Sequence, residues 1–238
     1  MRPRLSARST LALVGVLIVA LALTFVWLAA RRTGPDSRLS SNTSAIPAHE
    51  DIEIADTGFT QLPPDPGGHS YFTYAAVVAN PNAVVAAGQV SLTISFLDGF
   101  GSVQRVERPV PFVLLPGQQQ AVASSSDGTG ISSMRVQVHV GSWLWSAPSG
   151  RFVFAGTATA KDPLGLAHTT ATMTSSFVSE QKFVQVTAVY YGPLGNIMGG
   201  ATTFVEYVRP GGVSQVQVNA FTTPPEITRT ELFAAIST

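Results

Sequence analysis

The sequence contains no cysteine. No disulfide, worth typically about 2–4 kcal/mol, staples any loop, and no thiol can accept a lipoprotein acyl chain. Lysine is nearly absent too, with only Lys161 and Lys182. No acidic residue precedes Asp36, and residues 33–238 carry nine basic against fourteen acidic side chains, a net of −5 that the formal total of zero conceals. A mildly acidic body with dispersed cations excludes nucleic-acid binding, which is built on clustered Lys and Arg. Beyond residue 32 no apolar pattern of helical period has useful length, which excludes a helical bundle.

One long apolar run is present. Leu11 to Ala30 is twenty residues without a charge, and at about 1.5 Å per helical residue it covers about 30 Å, the thickness of a bilayer's hydrocarbon core. The competing reading is a cleaved signal peptide, but the run is too long, and cutting after Ala30 or Ala29 would leave bulky Leu28 or Trp27 three residues before the cut. The expectation is a retained single-pass anchor at 11–30, a cytoplasmic N-terminus at 1–10 and a stalk at 31–50 rich in Ser, Thr and Pro. Arg2, Arg4 and Arg8 with the terminal amine narrowly outweigh Arg31, Arg32 and Arg38, which places the N-terminus inside the cytoplasmic membrane and the body outside.

Residues 90–123 recur without a gap at 184–217. Val90, Thr93, Gly101, Pro116, Gly117 and Val122 fall on Val184, Thr187, Gly195, Pro210, Gly211 and Val216, a constant offset of 94. A period this long exceeds the roughly 20–50 residues of a solenoid repeat, so each copy reads as a domain. Within it apolar residues alternate. Val90, Leu92, Ile94 and Phe96 oppose Ser91, Thr93 and Ser95, and Val184, Val186, Ala188 and Tyr190 oppose Gln185, Thr187 and Val189. Val136, Val138 and Val140, and again Val216 and Val218, alternate in the same way, the pattern of half-buried strands. Turn clusters separate the strands at Pro63–Gly68, Asp98–Gly101, Ser124–Gly130, Gly192–Gly195 and Gly199-Gly200. Ile131–Val138 aligns with Ile227–Ala234 at an offset of 96, locating a two-residue insertion in the loop between Gln217 and Ile227. The predicted fold is all-β: two tandem immunoglobulin-like antiparallel β-sandwiches, residues 51–146 and 147–238, after one transmembrane helix.

Two resemblances accompany this pattern. Ile94-Ser95-Phe96-Leu97-Asp98 followed by Gly101, Ala188-Val189-Tyr190-Tyr191-Gly192 followed by Gly195, and the later Pro116-Gly117 and Pro210-Gly211 resemble the FxLYD-type immunoglobulin-like domains of bacterial envelope proteins. Ile94 and Ala188 depart from the first motif position, and the second copy lacks the Asp. Asn80-Pro81-Asn82 is similar to the turn of WHy and late-embryogenesis-type stress domains, with no equivalent in the second copy. Both resemblances imply antiparallel sandwiches, and neither brings catalytic residues.

The residues of chemical interest do not combine. His49 lies in the stalk, His69 and His168 precede predicted strands, His139 sits on a polar strand face, and no pair has metal-ligand spacing. The acidic run His49 to Glu53 reads as a solvated edge, because its spacing supplies no encircling loop of oxygen ligands. No Gly-x-Ser-x-Gly elbow occurs, and Asp127-Gly128-Thr129-Gly130 lacks the Lys that a phosphate cradle needs. Asp98 with Glu107, or Glu180 with Glu206, would become a carboxylate pair only if folding brought them together. Trp143-Leu144-Trp145 belongs to one copy alone and reads either as packing at the junction of the domains or as an aromatic patch, Trp143 and Trp145, that docks a partner. The expected function is a non-enzymatic, membrane-anchored extracytoplasmic binding or scaffold protein of the cell envelope, with no cofactor or metal and an envelope protein as partner. The alternative is a stress-protective domain pair.

Overall fold

Alternation of Val90, Leu92, Ile94 and Phe96 with small hydroxylated residues leaves one face of a segment that cannot stay in water, and the chain answers it with strands throughout. The computed structural model describes residues 48–238. The expected anchor at 11–30 and nearly all of the stalk therefore lie outside the described residues. Thirteen strands follow. The first seven are β1 (Glu53–Gln61), β2 (Tyr71–Ala79), β3 (Ala86–Leu97), β4 (Val103–Glu107), β5 (Phe112–Leu114), β6 (Gln119–Asp127) and β7 (Ser133–Leu144). The other six are β8 (Phe152–Lys161), β9 (Ala167–Ser175), β10 (Gln181–Tyr191), β11 (Ile197–Val208), β12 (Val213–Asn219) and β13 (Arg229–Ser237).

All ladders are antiparallel. One three-stranded sheet runs β1-β2-β6 and another β12-β9-β8. The third sheet has seven strands in the order β11-β10-β13-β5-β3-β4, with β7 on the other side of β3. Its two halves meet where Ile236 and Ser237 of β13 pair with Val113 and Phe112 of β5. Equivalent registers occur on either side of that seam: Val90 lies opposite Val140 and Val184 opposite Ile236. Gln89 and Phe183, 94 residues apart, are the positive-φ non-glycine residues among those described, at 51° and 48°. Each interrupts the regular pairing of its strand, β3 with β7 and β10 with β11.

Apolar faces close on one another in four places, the fourth around Ala86, Leu115 and Phe177. Phe72, Tyr74 and Phe96, with ring centroids 4.5–6.2 Å apart, anchor a first core between β2 and β3. Met173, Val184, Tyr190 and Val218 anchor a second between β9, β12 and β10. The third cluster joins the halves: Ala75, Val77, Ala121 and Ala123, on the back of β2 and β6, pack on Val189, Tyr191 and Ile197. His49–Thr238 is accordingly one compact unit.

The predicted parity holds in β3, β7 and β12, where the polar positions are exposed or partly so. It fails in β10, where Gln185, Thr187 and Val189, expected on a solvent face, are all buried. The reason is the third cluster, which covers that face with the back of β2 and β6. Gly199-Gly200, expected as a turn, lies inside β11. A Cβ on Gly200 would stand 2.3 Å from the Ala188 carbonyl oxygen and 2.7 Å from the Ala123 Cβ, so glycine there serves close approach of two sheets. Gly58 has the same role, since a Cβ would meet the Ile197 oxygen at 2.1 Å. Ser124 to Asp127, also read as turn, extend β6.

Candidate functional site

The tryptophan segment divides three ways. Trp143, opposite Ala87 at the end of β7, is half-buried against the first core, and the His49 ring tilts onto it at 4.1 Å and 45°. With Ile52, Ile54, Val138 and Val140 it lines a shallow cleft. Leu144 packs with Ala86, Leu115 and Phe177 in a cluster between the halves. Trp145, just beyond the strand, is 44% exposed. Packing at the junction is thus supplied by Leu144, while the two indoles border solvent.

Asn80, Asn82 and Asp98 hold neighbouring stretches of main chain together. Asn80 is 2% exposed. Its Nδ2 donates to the carbonyls of Val85, Leu114 and Leu115 at 2.9, 3.1 and 3.2 Å. Its Oδ1 accepts from the Asn82 backbone N–H and Nδ2. Asn82 in turn exchanges hydrogen bonds with the Glu50 main chain. Asp98 closes a hairpin: its Oδ1 accepts from the backbone N–H groups of Phe100 and Ser102, which hold its carboxyl below the usual carboxylate value. Asp65 does the same in the hairpin β1-β2, and in β8-β9 the Asp162 carboxyl is held below the usual value first by the His168 ring and then by the backbone N–H groups of Leu166 and Leu164.

The carboxylates suggested as pairs find other partners. Glu107 accepts from Arg105 Nε and from Ser126 Oγ, and Glu180 lies 3.4 Å from Lys182. His69 sits beside Asp65 at 3.3 Å. His168, within β9, is fixed between Asn219 and Asp162, which together raise its pKa above the ordinary histidine value. Among the described residues no three His, Asp or Glu side chains converge as a metal-binding group.

A groove of ≈ 350 Å³ combines polar and aromatic groups more closely. Its floor holds Tyr74 and Gln185, each 2% exposed, and the Gln185 Oε1 is buried without a partner. Burial raises the Tyr74 phenol well above its usual value, with the Glu107 carboxylate adding to the rise, so it stays protonated and able to donate. Ser124 and Ser125 of β6 form one wall and Thr202 and Phe204 of β11 another. At the mouth Phe204 is 45% and Phe221 70% exposed. Phe221 is not adrift, because Tyr71 meets it edge-on at 5.8 Å and the neighbouring Thr222 hydroxyl donates to Ser125 Oγ at 2.7 Å.

Sequence reading missed these residues, which come from both halves of the chain and meet only across the junction. One signal was available. Ala75, Val77, Ala121 and Ala123 are apolar at alternate positions where an outward face should be polar, and a second buried face follows from that. The arrangement offers hydrogen-bonding groups beside exposed aromatic faces, the kind of lining that recognition sites use. Comparison of the chain with protein-family models and with characterised proteins finds no match.

Proposed function

We propose that this chain is a non-enzymatic, membrane-anchored protein whose two tandem immunoglobulin-like sandwiches stand outside the cytoplasmic membrane and bind or scaffold envelope components. The anchor at 11–30 and the FxLYD-like motifs carry the location, and the matched registers at Val90–Val140 and Val184–Ile236 support the tandem reading. The observation that carries binding is the groove: both halves contribute to it, its floor is polar and its mouth presents Phe204 and Phe221 to solvent. Aromatic rings exposed beside buried polar groups are characteristic of recognition surfaces. The stress-protective alternative draws on Asn80-Pro81-Asn82, and those residues are occupied in holding main-chain carbonyls and Glu50.

Protease added to intact spheroplasts should digest the body and leave only the anchored N-terminal stub. A body that resists until the membrane is lysed refutes the topology. A photo-crosslinking residue at Phe221 should then capture an envelope component in the native membrane, and capture of cytosolic proteins alone would refute the function.

A further inference from the structure

We infer that the groove between β6 and β11 is a seat for an uncharged saccharide unit, an inference that rests on the envelope-binding reading and names its ligand class. Three features of the groove select that chemistry. The first is charge. Among the lining residues Glu107 and Arg108 are the ionisable groups of opposite sign, and Glu107 is already engaged by Arg105 and Ser126. A phosphate or polyanion would find one exposed arginine in a body of net negative charge, too little to repay its desolvation.

The second feature is the unsatisfied polar floor. Gln185 is 98% buried by its 2% exposure, and its amide oxygen lacks a protein partner. A buried amide left unpaired costs free energy that a ligand hydroxyl, both donor and acceptor, recovers. Ser124, Ser125 and Asn219 line the same space with groups of like character. The third feature is the mouth, where Phe204 and the propped Phe221 offer flat apolar faces to the C–H face of a pyranose ring. Strand addition suits the site less well. A peptide laid along β6 would need the Ala123 carbonyl, which Thr202 Oγ1 already occupies at 2.8 Å. The volume of ≈ 350 Å³ lies at the small end of the roughly 300–1,000 Å³ spanned by small-molecule sites, which fits one or two sugar rings rather than a long chain.

The test is calorimetric titration of the full-length protein, held in a detergent without a sugar headgroup, with cellotriose, maltotriose and chitotriose. At least one should bind saturably, and Phe204→Ala and Phe221→Ala should each weaken it by about tenfold. Both side chains are substantially exposed, so these variants should keep the wild-type thermal transition, and Val178→Ala, 87% exposed outside this groove, should leave binding unchanged. Gln185→Leu should abolish binding while retaining the β-sheet circular dichroism. Failure of all three sugars at about 10 mM, where even millimolar sites fill, overturns the inference. So does binding that both phenylalanine variants leave intact, or exclusive crosslinking of Phe221 to a polypeptide. Digestion of the body on spheroplasts without sugar binding would remove the saccharide and leave the envelope reading standing. Sugar binding by a protein protected in spheroplasts would do the reverse.

Discussion

Replacing Asn80 by aspartate leaves the shape of the side chain nearly unchanged and removes both of its N–H groups. In the native protein those two hydrogens serve three carbonyls, of Val85, Leu114 and Leu115, so at least one is shared. Asn80→Ala forfeits about two hydrogen bonds donated by Nδ2 and two accepted by Oδ1, at about 1 kcal/mol each, and leaves at least one buried carbonyl unpaired at about 1–3 kcal/mol, a cost of about 5 kcal/mol or more. Asn80→Asp should cost more at pH 7, because an ionised carboxylate would face three carbonyl oxygens in a site that is 2% exposed. The folded state then favours the protonated acid and its pKa rises above the unfolded one. The mutant's stability should therefore recover as pH falls toward the unfolded carboxyl range and decline as pH rises through the folded value. Asn80→Ala has no such titration. Urea unfolding of residues 48–238, followed by the fluorescence of Trp143 beside His49, reads both variants at pH 7 and pH 4. Equal costs for the two at pH 7, or an aspartate variant whose deficit does not narrow at pH 4, would refute the donor role assigned to this amide.

The junction gives a second expectation. Ala123→Gln places a long polar side chain in the third cluster and should lower stability by about 2 kcal/mol or more, whereas Gln217→Ala on exposed β12 should stay within about 0.5 kcal/mol, both read by thermal denaturation. Hairpin carboxylates set an acid limit: Asp65, Asp98 and Asp162 all titrate below 3.8, so their contribution is present above that value and is lost as pH falls below it. The triple Asp→Asn variant should flatten the urea midpoint between pH 5 and pH 2, and an unchanged slope would refute the turn assignment. His168 acts in the opposite sense, with its contribution full below 6.5 and lost as pH rises beyond the elevated folded value, an effect that His168→Gln should remove from the pH profile. Trp143→Ala should destabilise more than Trp145→Ala, and if the partner set crosslinked in the membrane is the same after both changes, the indoles are not a docking patch.

Local pattern carried much of the architecture because strand formation needs only alternation and turn chemistry. Val136, Val138 and Val140 against Arg135, Gln137 and His139 specify a half-buried strand wherever they are placed, and β7 is that strand. The same rule misread β10, since alternation reports how many faces are apolar in one strand and not what lies over the other face. Gln185 and Thr187 look solvent-facing in isolation and become buried when Ala75, Val77, Ala121 and Ala123 arrive from residues far away in sequence. At the matching places on the sheet β12-β9-β8 stand Thr170, Thr172, Gln215 and Gln217, polar and mostly exposed. Apolar cover is thus present on one sheet's back and absent from the other's, so the face-to-face junction forms once.

By itself the sequence determined an all-β chain, the positions of β3, β7, β10 and β12, the turns at Pro63–Gly68, Asp98–Gly101 and Gly192–Gly195, an offset of 94 residues, and a twenty-residue run without a charge at 11–30. These follow from short-range rules, namely side-chain period, turn stereochemistry and hydrophobic length. Only the tertiary structure decided that β13 joins β5, that Gly58 and Gly200 yield to opposing backbone, and that Gln185, Phe204 and Phe221 border one groove. Those outcomes depend on which faces meet at long range, and no local period encodes the partner that a second apolar face will find.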